Sequence, residues 1–313
     1  MALICFCLLV TVFVPILFWA RRLKDQRYCQ KNPEPLLAAL PILTCPTPWG
    51  PAAYSEQGRG PTVVFLHGLG ASRFVWADMY TDLAKDHRVL ALDLLGFGQS
   101  PRPKSSALGL REQTEFVQTV LKAANVKHFV FVASSMGGAI ALAVSQALGQ
   151  GPSTNGGPKA EGAILISPAL DQNHGPWHFL SGLAPLFSLF VNSWLCMAIV
   201  RRVRSQRNIS QAMLYMYLRP YVNSPDDIRC FLKSTAILNS SRRSLCSSAA
   251  WNRSLIIWGD ADKILSVPKA TARLSFFGEA RFEVLKGSHH LMEDQPLALS
   301  QRTREFLRSI EMR

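Results

Sequence analysis

The chain has 313 residues, 34 Lys and Arg against 21 Asp and Glu, a net charge of +13, and 48% hydrophobic residues. That length sets a prior of one large domain or two small ones, and the apolar share excludes wholesale disorder and a highly charged coiled coil. The seven Cys (5, 7, 29, 45, 196, 230 and 246) form no CxxC and no His/Cys group at zinc spacing, so neither a metal ribbon nor a disulfide scaffold is expected and no metal or cofactor is implied.

Ala2 to Ala20 carries no ionisable side chain except two thiols. As a helix it is roughly 28 Å long at ~1.5 Å per residue, about the thickness of a bilayer's hydrocarbon. A cleaved signal peptide would want basic residues before the run and a small-x-small site after it, and neither is present. Residues 1–21 are therefore expected to be a transmembrane anchor. Arg21, Arg22, Lys24, Arg27 and Lys31 follow the run, so the positive-inside bias places the main domain in the cytosol. The sequons at Asn208, Asn239 and Asn252 would matter only in a lumen. No Lys/Arg block with interleaved aromatics supports nucleic acid, and an anionic membrane surface is the simpler partner for the excess charge.

Residues 22–49 are expected to be a linker; the Pro- and Gly-rich stretch over 32–60 runs into a short hairpin at the domain edge. Strands and helices then alternate. Strands are predicted over Val63–His67, Arg88–Leu92, His128–Val132, Ala163–Ser167, Leu255–Trp258 and Arg281–Leu285. Helices are predicted over Arg73–Lys85, Glu115–Ala124 and Gly137–Leu148, on helically spaced apolar residues or an Ala- and Leu-rich run. Short apolar runs alternating with helices predict a parallel sheet covered on both faces. Gln150–Gly162 reads as a surface loop. Residues 171–250 are expected to be a helical cap, with the core formed by 50–170 and 251–313. Within the cap, Gly175–Val200 has no charged residue and Arg201, Arg202, Arg204 and Arg207 follow it. That stretch suits an acyl pocket or the membrane interface, and equally a buried lid core.

Ligands of such sheets bind beyond the carboxyl ends of the strands. The third core strand runs into Ala133-Ser134-Ser135-Met136-Gly137-Gly138, a small-x-Ser-x-small-small pattern at a strand-to-helix turn, which exposes the Ser135 hydroxyl. A Ser hydroxyl needs a base, and the base an orienting acid. His289 lies in a loop after a strand and before a helix, the place for such a base. Asp262, three residues past Gly259 and clear of the strand end, is preferred to Asp260 as the acid. Met136 N–H, after the nucleophile, and Leu69 N–H, in His67-Gly68-Leu69-Gly70, are the candidate oxyanion donors. His67 itself reads as a side chain that braces its loop.

The order HGLG, Asp93-Leu94-Leu95-Gly96-Phe97-Gly98-Gln99-Ser100, ASSMGG, WGDAD and GSHHLMEDQP resembles the α/β-hydrolase superfamily over roughly residues 50–313. The resemblance implies an eight-stranded, mostly parallel sheet with a helical cap inserted after the sixth strand. It also implies Ser135 as nucleophile, Asp262 as acid, His289 rather than His290 as base, and Leu69 and Met136 as oxyanion donors. Two positions depart from the family pattern: Ala133 stands two before the nucleophile, and Ser288 precedes the His, where Gly is the commoner residue at each. The expected function is a membrane-anchored serine hydrolase of lipid or other apolar acyl esters. The alternatives are a non-catalytic scaffold, or acyl transfer or thioester chemistry on the same triad. Acyl transfer is suggested by His289-x4-Asp294.

Overall fold

The computed structural model describes residues 40–103, 108–149, 157–169, 217, 225–244, 253–267 and 280–310. The predicted anchor at 1–21 and the uncharged stretch 175–200 lie outside them. Among the described residues, no helix is long and apolar enough to cross a membrane.

Eight strands form one sheet: β1 (Leu43–Cys45), β2 (Ala52–Gln57), β3 (Thr62–Leu66), β4 (Arg88–Leu92), β5 (His128–Ser134), β6 (Lys159–Ile166), β7 (Ser254–Gly259) and β8 (Arg281–Leu285). Their order across the sheet is β1-β2-β4-β3-β5-β6-β7-β8. Only β2 runs against its neighbours, β1 and β4; every other pairing is parallel. β3 and β4 exchange places in that order, so β3 ends beside β5 with Leu66 opposite Ala133. That exchange sets the loop after β3 next to the turn after β5.

Among the described residues the α-helices are α1 (Ala77–Leu83), α2 (Leu110–Ala123), α3 (Met136–Gly149), α4 (Pro225–Ser244), α5 (Leu291–Asp294) and α6 (Pro296–Ser309). Successive side chains of a strand point to opposite faces, and here both faces are dry. Val64, Leu66, Phe129 and Phe131 enter one core with Phe116, Val120 and Ile140 of α2 and α3. Val63, Phe65, Val130 and Val132 enter the other with Met79, Leu83, Leu299 and Phe306 of α1 and α6. This explains why the strands read as unbroken apolar runs rather than as alternating ones.

Several boundaries differ from the sequence reading: the helix predicted over Arg73–Lys85 opens as a 3-10 turn at Arg73–Trp76 and becomes α1 only at Ala77, and three others have a plain physical cause. The sheet begins at Leu43, inside the expected linker, because Cys45 is buried against the core. β6 begins at Lys159 rather than Ala163. Backbone pairing with His128 and Phe129 holds Lys159 and Ala160 extended, although their composition reads as a loop. α2 begins at Leu110, five residues before the apolar face that identified it. There Glu112 turns back to accept a hydrogen bond from Gly109 N–H at 3.0 Å and starts the helix early.

The segment between β6 and β7 contains α4, which packs onto α2 and α3 with Cys230 and Ile237 in their core. Arg102 ties it to the loop after β4: its guanidinium pairs with Asp227 of α4 and donates to the Gly98 carbonyl at 2.6 Å. Burial pushes the Cys230 thiol up to about 11, as expected for a side chain that serves packing.

Candidate active site

β5 stops at Ser134, and Ser135 takes φ 51°, the left-handed region that a non-glycine residue enters only when its surroundings force it. The forcing contacts are backbone ones. Ser135 N–H donates to Ile166 O at 3.0 Å, and Ser135 O accepts from Gly138 N–H and Ala169 N–H, each at 3.0 Å. α3 then starts against the end of β3. A Cβ on Gly137 would lie 2.5 Å from Leu66 O and 2.6 Å from His67 O, so only glycine fits. Met136 is the first residue of that helix, where a backbone N–H has no partner inside the helix.

The acid and the base come from the ends of β7 and β8. His289 Nδ1 and Asp262 Oδ2 are 2.7 Å apart, and both side chains are buried. Asp262 Oδ1 accepts from Ile264 N–H at 2.9 Å and Leu265 N–H at 2.7 Å, which fixes the carboxylate plane. A carboxylate against Nδ1 places the imidazole proton there and leaves Nε2 as an acceptor. Asp260 has a different task. It accepts from Gly287 N–H at 2.9 Å and so ties the two loops together. Asp294 Oδ2 accepts from Ser288 N–H at 2.7 Å and Ser288 Oγ–H at 2.6 Å, while Ser288 Oγ accepts from His290 N–H at 3.1 Å. The Ser that departs from the family pattern therefore braces the His loop, and the carboxylate of His-x4-Asp is its partner. His290 sits edge-on to His289, ring centroids 5.3 Å apart. Ser135 and His289, each at a C-terminal strand end of the same sheet, are not hydrogen-bonded to each other in this structure.

The loop Gly68–Ala71 stands beside the nucleophile turn. A Cβ on Gly68 would meet Ser135 Cβ at 3.1 Å, so Leu69 follows a residue in close approach to Ser135. His67 is fully buried, with Nδ1 2.8 Å from Gly68 O and Nε2 accepting from Leu94 N–H at 3.0 Å. It braces the backbone with both nitrogens.

Beneath the site, the Asp93–Ser100 loop is held by groups that the motif alone did not point to. Asp93 is completely buried and pairs with the Arg73 guanidinium; its Oδ1 accepts from Arg73 N–H at 2.7 Å and its Oδ2 from Gln99 N–H at 2.9 Å. Arg73 Nη2 donates to Gln99 Oε1 at 2.7 Å and Nε to Ser55 Oγ at 2.9 Å. Gln113 of α2 clamps Leu95, accepting its N–H at 3.2 Å and donating to its carbonyl at 2.8 Å. Burying such an ion pair is tolerable because nearly every donor and acceptor in it is satisfied; removing one partner of such a pair typically costs about 3–5 kcal/mol. No periodicity in the sequence links Arg73 or Gln113 to this loop. Among the described residues, no group of His, Cys, Asp and Glu has the geometry of a metal site.

Comparison with known proteins places this geometry in context. The model of the alpha/beta hydrolase family matches residues 63–302. Similar proteins include a probable lysophospholipase, BODYGUARD 4 of Arabidopsis thaliana, 40% identical over 95 residues, a stretch that is 29% of this chain and 23% of that protein. The uncharacterized hydrolase YugF of Bacillus subtilis is 25% identical over 264 residues, 82% of this chain and 92% of its own. Among solved structures, a bacterial membrane phospholipase A superposes with a TM-score of 0.70 at 20% identity, covering 99% of each chain. A putative lipase of Acinetobacter baumannii superposes with a TM-score of 0.72 at 20% identity, covering 92% of this chain and 96% of that one. A haloalkane dehalogenase of Agrobacterium tumefaciens superposes almost as well, at 0.67, so these likenesses speak to the fold and not to the reaction.

Proposed function

Because this chain belongs to the alpha/beta hydrolase family, we propose that it is a serine hydrolase of carboxylic esters that takes lipid or other apolar acyl esters and is held at a membrane by residues 1–21. The observation that carries the reading is the buried 2.7 Å bond between His289 Nδ1 and Asp262, on the sheet edge that also presents Ser135 at the strained turn.

In this mechanism His289 Nε2 takes the Ser135 proton as Oγ attacks the ester carbonyl. Catalytic hydrogen bonds are often long before substrate arrives, and the Ser135–His289 bond closes on binding. The oxyanion receives the N–H groups of Met136 and Leu69, which lie at neighbouring strand ends. His289 then passes its proton to the departing alcohol oxygen, and water, deprotonated by the same nitrogen, releases the acid from Ser135. The lipid preference rests on the apolar stretches at 2–20 and 175–200 and on the lysophospholipase and phospholipase descriptions of similar proteins. Acyl transfer through His-x4-Asp is the weaker reading, because the Asp294 carboxylate is engaged in holding Ser288.

A fluorophosphonate probe should label the full chain and fail on Ser135→Ala. The enzyme not exposed to the probe should hydrolyse monoacylglycerols or phospholipids in preference to short water-soluble esters. Absence of labelling in the unmutated protein would replace this reading with that of a non-catalytic scaffold. A preference for short esters would leave the hydrolase and remove the lipid.

A further inference from the structure

We propose that His67 is a positioning residue for catalysis: its imidazole sets the orientation of the Gly68–Leu69 peptide, and thereby aims the Leu69 N–H at the oxyanion. This deepens the proposed function and rests on it.

A trans peptide is a rigid plane in which the carbonyl of one residue and the N–H of the next point in opposite directions. Whatever holds Gly68 O therefore holds Leu69 N–H. Two donors hold that oxygen. One is His67 Nδ1 at 2.8 Å; the other is Ala71 N–H at 3.3 Å, across a turn in which Gly70 has φ 74°. The imidazole bond is the shorter, and the ring is itself immobilised. It is fully buried, edge-on to Phe97 with centroids 5.6 Å apart, and its Nε2 receives Leu94 N–H at 3.0 Å.

The tautomer follows from the partners. A backbone N–H can only donate, so Nε2 is bare and the ring proton is on Nδ1, where it donates to Gly68 O. The Asp93–Ser100 loop, clamped by Arg73 and Gln113, thus fixes the ring through Leu94, and the ring fixes the donor that faces the substrate. Both nitrogens are committed to the backbone, so His67 does not compete with His289 as a base.

Two substitutions separate this role from simple packing. In His67→Asn the side-chain NH2 lies near the Nδ1 position and still donates to Gly68 O, while the acceptor for Leu94 is lost. In His67→Gln the amide oxygen reaches toward Leu94 N–H, while the donor to Gly68 is lost. Removing an oxyanion donor outright costs about 10²–10³ in kcat. His67→Gln, which misaims one, should lose about 10–100-fold in kcat with KM within about twofold. Its affinity for a trifluoromethyl ketone should weaken by the same factor, since Ser135 Oγ gives its proton to His289 Nε2, bonds to the inhibitor's carbonyl carbon and leaves the negative oxygen in the oxyanion site. His67→Asn should lose less than about fivefold in both, by the same reasoning.

Equal losses in the two variants, or a fall in kcat with unchanged ketone affinity, would show that the ring only packs. The nitrogen chemical shifts of His67 in the unmutated protein give a reading that needs no variant to fold: Nδ1 should be protonated and Nε2 bare, and the reverse overturns the proposal. Ser135→Ala is the control for the underlying reading. If the activity does not depend on Ser135, that reading and this one both fall; if it does and His67→Gln is unaffected, only this one falls.

Discussion

At the scale of single residues, the site turns on which carboxylate faces which ring nitrogen. Asp262 and Asp260 stand two apart at the end of β7, yet one bonds His289 and the other the backbone of Gly287. Asp262→Asn would keep an acceptor for Ile264 and Leu265 but present its NH2 to Nδ1, which forces the proton onto Nε2 and blocks it as a base. We expect kcat for ester hydrolysis to fall by about 10³–10⁴. Asp260→Asn, which retains an oxygen for Gly287 N–H, should lose far less. Steady-state rates of the two variants side by side check the assignment, and a larger loss in Asp260→Asn would mean that the wrong carboxylate has been named.

At the scale of elements, the last helix is bolted to the first by charge as well as by apolar contact. Arg304 of α6 donates to Asp82 of α1 at 2.8 Å and to Asp86 at 2.7 and 3.0 Å. The Arg304 hydrogen bond holds the Asp86 carboxyl down to about 2, below its ordinary 3.8. A carboxylate depressed in the folded state contributes stability above its unfolded value and loses it as the pH falls through the folded one. Stability measured by urea unfolding should therefore decline between about pH 4 and pH 2, and decline less in Arg304→Gln. Asp86 is half exposed, so solvent screening keeps the difference below about 1 kcal/mol. An identical acid slope in both proteins would remove the bolt.

At the scale of the whole molecule, the core and the N-terminal apolar run make separable contributions to the proposed function. A chain lacking residues 2–20 should leave the membrane fraction and remain active on short soluble esters, because the sheet begins at Leu43 and each site residue lies beyond it. Fractionation with activity assays tests this. Retention of the shortened chain on membranes would shift the attachment to the inserted segment, whose arginines at 201–207 are its most basic run.

Much of this arrangement is legible in one dimension. Fully buried strands need continuous apolar runs, a strand-to-helix turn with backbone contact on both sides needs small residues around its Ser, and both demands appear at fixed short spacing. The parallel sheet, the elbow at Ser135, the His loop at 289 and the bracing role of His67 are all local patterns of this kind. What only the folded chain decided are pairings between separate segments: Arg73 with Asp93, Gln113 with Leu95, Arg102 with Asp227, and the extension of β6 back to Lys159. Each of those partners is an ordinary polar residue or loop segment in its own neighbourhood. Its role arises from the exchange of β3 and β4 and the docking of helices onto the sheet, which bring together groups that have no common period along the chain.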